Sequence, residues 1–412
     1  MKINLIKYNT FILCIYLNSF IFFVISKKIG ISSELLVIFL LPIYLLPFVL
    51  KGLSSDMGKK RLNSKKILIF LYFMIVFLNL FAYLNNNYFL VNLKYIILYS
   101  GIAIYFSTLK ISLNLLKKHL KFFLIVHLIT LLYILIDKSL YEKMQLDYMF
   151  FGYDCLFVTI CFAYFYKETL KFRYLLLLSL GNILLLIYGS RFTFLLGVLA
   201  SIIFLYSSKR KWVKRLITIS VIALPIIYFN LKLIFSILIG LFNRYNIPTE
   251  SLRRLVGSLN IVNSGNSLFY DRLIWYSETL NIIKENPIFG VGTFGYKGKI
   301  SYMLYNGDGT FYPHNIFLEI LLHFGIVGFL AFLIIIVLII RKIHYSKKNG
   351  KRLDSIELIF FIMSLGLLVS GSYLRSTWFY FTLLIPFNKS YYYYVNKKNN
   401  YKLIRSKNYG GN

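Results

Sequence analysis

The segment Asn315–Ile340 reads NIFLEILLHFGIVGFLAFLIIIVLII and runs directly into Arg341-Lys342. A helix rises about 1.5 Å per residue, so roughly 20 apolar residues cross the hydrocarbon core of a bilayer. In lipid each backbone N–H and C=O must be satisfied within its own segment, so such a run becomes a helix. Comparable apolar runs recur along all 412 residues, separated by short stretches rich in Lys and Arg. The chain is 58% hydrophobic and only 15% charged, against about a quarter charged in soluble domains. The fold class expected is an all-α polytopic membrane protein.

Twelve spans are expected, at 10–26, 33–50, 67–84, 94–109, 122–136, 150–166, 174–189, 192–206, 216–230, 315–340, 355–370 and 376–388. The net charge of +32 invites a nucleic-acid reading, but its distribution argues otherwise. With the N-terminus inside, 32 of the 47 Lys and Arg fall on the inner side with only Asp56, Glu168 and Asp354. The excess is the positive-inside signature of a polytopic protein, and no nucleic-acid partner is implied. Lys27-Lys28 run against the rule and leave the first hairpin open. The run after Lys2 and Lys7 has no small-residue cleavage site and reads as a retained span. Cys14, Cys155 and Cys161 fall within spans at spacings that match no metal motif, so a buried structural role is expected.

The organisation expected is a nine-span bundle over 1–230, an extracytoplasmic helical loop over 231–314, three spans over 315–390 and a cytoplasmic tail over 391–412. Both termini lie inside. A loop this long within a compact protein is usually functional or disordered, and Trp275, Tyr276, Phe289 and Phe294 argue for order. One loop helix is expected from Thr249 to Leu259. A second runs from Asn266 to Asn286-Pro287, where the proline forces the preceding residue out of the helical region. Its apolar stripe is Phe269, Leu273, Tyr276, Leu280 and Ile283. Residues 231–242 are ambiguous between a re-entrant piece and an interfacial helix.

Charges at the membrane edge are costly and therefore mark candidate sites. Arg191 follows Gly189-Ser190 at a tight outer turn; its bland reading is a snorkelling anchor. Arg272 stands beside Asp271 in the second loop helix, where a surface ion pair is the ordinary alternative. Arg253 and Arg254 read more readily as a solvated face. His314, in Tyr312-Pro313-His314-Asn315, marks the outer entry of span ten, where a cap or packing role is the usual one. His314 and His323 are nine residues apart and so on opposite helix faces, and no spacing suggests a metal. Glu319 and His323, at i,i+4, are expected to pair. Gly290-Val291-Gly292 offers a turn with free backbone N–H groups, and Gly325 and Gly328 suit close helix packing.

In order and spacing these pieces resemble the O-antigen ligase and polymerase superfamily. The likeness rests on Gly189-Ser190-Arg191, on Arg272 with Trp275 ahead of Asn286-Pro287-Ile288-Phe289-Gly290-Val291-Gly292, on Pro313-His314-Asn315-Ile316-Phe317-Leu318-Glu319 and on Gly325-Ile326-Val327-Gly328. It covers about residues 180–340. Phe192 departs from it where many relatives have glycine. Tyr148 to Asp154 looks like a stretch of Gram-positive polysaccharide polymerases. The resemblance implies a GT-C-like glycosyltransferase of the bacterial plasma membrane, needing neither metal nor cofactor. Its implied donor is a glycan on undecaprenyl pyrophosphate and its implied partners are an acceptor glycan and other polysaccharide assembly proteins. Arg191 and Arg272 would bind the pyrophosphate, His314 would act as base, and Asn315, Gly290 and Gly292 would support them. A polymerase is the leading expectation and a ligase its near rival. A polysaccharide or lipid transporter is the rival of another class, disfavoured by the few ionisable residues deep in the spans and by the nine-to-three division. An inactive scaffold is a further alternative.

Overall fold

The computed structural model describes residues 5–31, 96–109, 111–137, 148–245, 270–293, 312–348 and 355–383, with single positions between them. Among the described residues every regular element is helical. The expected span 67–84, most of the span 33–50, the tail and most of the first loop helix lie outside this set. The helices are α1 (Leu5–Leu17), α2 (Ser19–Ile29), α3 (Ile102–Thr108, entered through a π-helical turn Ile96–Gly101), α4 (Leu113–Ile136), α5 (Tyr148–Thr169) and α6 (Phe172–Tyr188). Then come α7 (Arg191–Tyr206), α8 (Lys211–Arg244), α9 (Tyr270–Glu285), α10 (Ile316–Lys348), α11 (Ser355–Ser364, continued by a 3-10 turn Leu365–Leu368) and α12 (Thr377–Leu383). By length and composition Leu113–Ile136 and Ile316–Arg341 are each able to cross a membrane, and α1 with α2 makes a third such unit if the bent pair is one span.

The core forms around α5. From Cys155 to Tyr166 nearly every side chain is buried, and a helix that is apolar on all sides belongs inside a bundle. It packs on α4, α6, α7 and α11. Two ion pairs bind its surroundings at opposite ends. Lys28 Nζ meets Asp137 Oδ2 at 2.7 Å beyond α4, and Lys117 Nζ meets Glu168 Oε2 at 3.8 Å at the other end. Lys28, one of the two lysines that left the first hairpin open, thus has an acid beside it. All three cysteines are free and buried, as expected.

Residues 10–26, expected as one straight span, fall across two helices bent by 59° at Asn18, whose Nδ2 donates to the Cys14 carbonyl at 2.9 Å and whose Oδ1 meets His127 Nδ1 at 3.1 Å. Residues 231–242 are helical and form the end of α8, which runs to Arg244. In α9 the expected stripe divides between two faces. Leu273 and Leu280 are 60% and 42% exposed, while Thr279, Ile282 and Ile283 are buried and Trp275 packs with them against α10. The polar Thr279 belongs to the inner face because its hydroxyl donates to the Trp275 carbonyl at 2.7 Å.

The largest correction concerns α10. At Gly325 its backbone leaves the helical region (φ 59°, ψ −163°). A break frees carbonyls before it and amides after it, and buried backbone groups need partners. The loop after α9 supplies them: Val291 N donates to Leu322 O at 2.9 Å and Gly292 N to His323 O at 3.0 Å. In return Ile326 N donates to Pro287 O at 2.9 Å and Val327 N to Ile288 O at 3.3 Å. Thus Asn286-Pro287-Ile288-Phe289-Gly290-Val291-Gly292 is stitched into the broken helix. The approach is so close that a β-carbon on Gly325 would lie 2.2 Å from Ile288 O.

Gly325→Ala is therefore expected to lower the thermal unfolding temperature of the detergent-solubilised chain, at a cost of roughly 1–3 kcal/mol or more. Gly240→Ala in α8, where nothing lies within 4 Å of the new carbon, should be neutral or stabilising by about 0.5–1 kcal/mol. Equal melting of the two variants would contradict the stitched break.

Candidate functional site at the ends of three helices

Arg191 is the first residue of α7, reached through the two-residue turn Gly189-Ser190. Ser190 caps the helix, its Oγ accepting from Thr193 N at 3.2 Å. The capping residue leaves the other first-turn amides and the positive end of the helix dipole beside the guanidinium, a combination that favours anions. The turn rests on α5: a β-carbon on Gly152 would come within 3.2 Å of Gly189 Cα and Ser190 N. Arg191 is partly exposed.

His314 precedes α10 in a left-handed conformation (φ 54°), uncommon for a residue with a side chain, though histidine is among those that adopt it. Asn315 fixes the turn that follows. Its Oδ1 accepts from Phe317 N at 2.9 Å and Leu318 N at 3.3 Å, the N-cap arrangement. The imidazole stacks on Trp275, with ring centroids 5.2 Å apart and planes at 24°, and Tyr312 covers it at 4.3 Å. Arg272 lies one turn ahead of Trp275 in α9, so the histidine's stacking partner and the second candidate arginine share one short helix. Sequence order thus becomes a spatial pair, α9 beside the start of α10.

Beneath His314 lies a polar cluster. Glu319 is buried, and its carboxylate accepts from the Ser372 hydroxyl and, at 3.2 Å, from Tyr373 N. His323 Nδ1 meets Tyr373 Oη at 2.8 Å, and Tyr296 stacks on His323 at 5.3 Å. Glu319 thus has partners beyond its own helix. The turn between α11 and α12 supplies the donors that make a buried carboxylate tolerable. Burial pushes the Tyr296 hydroxyl well above its usual range; the charges of Glu319 and Tyr312 act the same way and Arg375 opposes them. Tyr296 thus stays a neutral hydrogen-bonding group.

Gly290 and Gly292 have another role than expected. Both adopt positive φ (70° and 77°), but Gly290 N donates to Asn286 O at 3.1 Å and Gly292 N to His323 O. With Val291 N also engaged, these amides are not free to cradle a phosphate. They serve the stitch that holds the floor of the site. Two walls meet on the start of α5: the Arg191 turn against Gly152, and the α11–α12 connection, where Tyr153 Oη donates to Ser370 O at 3.5 Å.

The residues missed in the sequence are Tyr296, Ser372, Tyr373 and Arg375. For Arg375 a signal existed. It stands in a short connection between two expected spans, the same circumstance that singled out Arg191. Ser372→Ala removes a donor from a buried carboxylate and should cost about 1–3 kcal/mol, whereas Tyr373→Phe should cost about 0.5–1.5 kcal/mol. Thermal unfolding of both variants checks the order, and a more damaging Tyr373→Phe would contradict it.

No curated protein matches the chain. A family model described as O-antigen ligase matches residues 174–333, about two fifths of the chain. The matched stretch opens in α6, closes in α10 and contains Arg191, Arg272, His314 and the stitched break. The match marks residues 174–333 as an O-antigen ligase domain and supports kinship with the O-antigen ligase/polymerase superfamily.

Proposed function

We propose that the protein is a polysaccharide polymerase. It would transfer a glycan from an undecaprenyl-pyrophosphate carrier to the next lipid-linked repeat unit on the outer face of the bacterial plasma membrane. The observation that carries this reading is His314, held in a left-handed turn between Trp275 and Tyr312 inside the O-antigen ligase domain. The reading includes the twelve-span topology, the loop over 231–314 as extracytoplasmic and both termini as cytoplasmic.

The chemistry follows from the side chains. The acceptor hydroxyl oxygen attacks the anomeric carbon, and the bond from that carbon to the diphosphate oxygen breaks. The electron pair leaves on the diphosphate, whose charge grows in the transition state. Arginine presents a planar fork of donors matched to phosphate oxygens, and groups placed where charge develops lower the barrier most. Arg191 and Arg272 take this role. The proton from the hydroxyl passes to the imidazole of His314, a group suited to accept it near neutral pH. Stacking on Trp275 holds the ring in one orientation, so positioning is supplied by the fold. The description of the matched family favours one second reading, a ligase that moves finished glycan to a lipid, protein or wall acceptor.

His314→Ala should lower polymer formation by about 10²–10⁴ while the protein remains inserted in the membrane. Arg191→Lys and Arg272→Lys keep the charge but remove the fork, and strong loss is expected of each. Gel analysis of the polymer, with immunodetection of the protein, reads all three. Unchanged polymer in His314→Ala would eliminate the base role. Cells lacking the protein should accumulate single lipid-linked repeat units; accumulation of full-length lipid-linked polymer would favour the ligase.

A further inference from the structure

The depth of the break in α10 follows from the length of helix beneath it. Gly325 lies sixteen residues before Arg341, about 24 Å along a helix, and the basic pair Arg341-Lys342 marks the inner end of the span. The hydrocarbon core is about 30 Å thick, and any tilt of the helix lowers the break further. The break therefore lies within the hydrocarbon of the outer leaflet, below the headgroups.

The loop after α9 is fastened at that depth. Pro287 O accepts from Ile326 N at 2.9 Å and Ile288 O from Val327 N at 3.3 Å. Pro287-Ile288-Phe289 thus cannot stand above the bilayer while Ile326 and Val327 stand in it. The side chains agree. From Ile316 to Gly325 no residue of α10 is exposed, whereas beyond the break an exposed stripe runs through Ile326, Val327, Leu330 and Ile334. Apolar side chains left uncovered on a crossing helix face lipid. Ile288 and Phe289, 56% and 75% exposed, continue this stripe at its outer end. Just before the turn the exposed residues of α9 are Asn281, Lys284 and Glu285; just after Asn286 they are Pro287, Ile288 and Phe289. The change from polar to apolar is abrupt, as at a boundary between water and hydrocarbon. Non-helical backbone is tolerated at membrane depth where protein satisfies it, and the stitch does so here.

We propose that Pro287-Ile288-Phe289 dips back into the bilayer from the outer side and packs among the acyl chains of the outer-leaflet lipids. The segment counted as an extracytoplasmic loop is then in part a membrane anchor, joined rigidly to α10. It sets the height of α9, and with it of Trp275 and His314, relative to the headgroups. The inference rests on one part of the reading above, that α10 crosses with Arg341 inside, and not on the polymerase chemistry. Cover by a second copy of the chain or by an assembly protein differs from cover by lipid in which quencher reaches the turn.

The test uses the full chain with its three native cysteines replaced by serine and one new cysteine, as Phe289→Cys, Ile334→Cys or Asn281→Cys. Each is labelled with the environment-sensitive fluorophore NBD and reconstituted into vesicles of phosphatidylcholine and phosphatidylglycerol. The quenchers are iodide in the water and nitroxides on the lipid acyl chains. The label at 289 should be quenched by the acyl-chain nitroxides, as at 334, and several-fold less by iodide than at 281. Its emission should lie to the blue of the label at 281. Iodide quenching at 289 equal to that at 281 would overturn the proposal and leave the turn in water. Protection from both quenchers would overturn it in favour of a protein cover. If iodide also quenches the label at 334, the crossing of α10 itself fails; if 334 reports lipid and 289 reports water, this inference alone fails.

Discussion

A helix that breaks inside a membrane protein must find new partners for the amides and carbonyls it releases. In this chain the break at Gly325 in α10 finds them in the loop after α9. Four backbone hydrogen bonds tie residues 287–292 to residues 322–327, and Gly325 and Gly290 lack side chains where the two segments meet. In lipid or at its edge an unsatisfied backbone group costs several kcal/mol, so the break and the loop stand or fall together. The stitch fixes α9 against the start of α10, and so fixes Trp275 against His314.

The rest of the site is assembled from elements far apart in sequence. The first turn of α5 receives the Arg191 turn against Gly152 and the α11–α12 connection through Tyr153. That connection then reaches Glu319 and His323 of α10. Polar groups this deep are tolerated only when paired, and here the pairing itself orders the walls. The cluster beneath His314 is thus a structural consequence of burying Glu319.

What the sequence showed was whatever local chemistry determines. Hydrophobic runs, charge clusters and the Asn286-Pro287 stop gave the membrane class and the end of α9, because lipid and proline each impose one local answer. Tight turns between apolar runs pointed to Arg191, and the entry of an apolar run from the long loop pointed to His314. The break at Gly325 was hidden, since GIVG inside an apolar run reads equally as a packing stripe. Its partner loop lies some 35 residues away, and backbone pairing of that kind leaves no periodicity. The inner face of α9 includes a residue that periodicity does not mark, because Thr279 satisfies its own hydroxyl on Trp275 and is buried like an apolar residue. Helical spacing pointed from Glu319 to His323 and could not show the donors that the α11–α12 connection brings to the carboxylate.

The account depends most on the Arg191 turn, the His314 turn and the α11–α12 connection opening on the same, outer side of the membrane. Single cysteines at Ser190, Tyr312 and Ser376, in a chain whose three native cysteines are replaced by serine, can be probed in intact spheroplasts with a membrane-impermeant maleimide. All three should be labelled from outside without permeabilisation. Labelling of any one only after the inner face is opened would contradict a shared outer site.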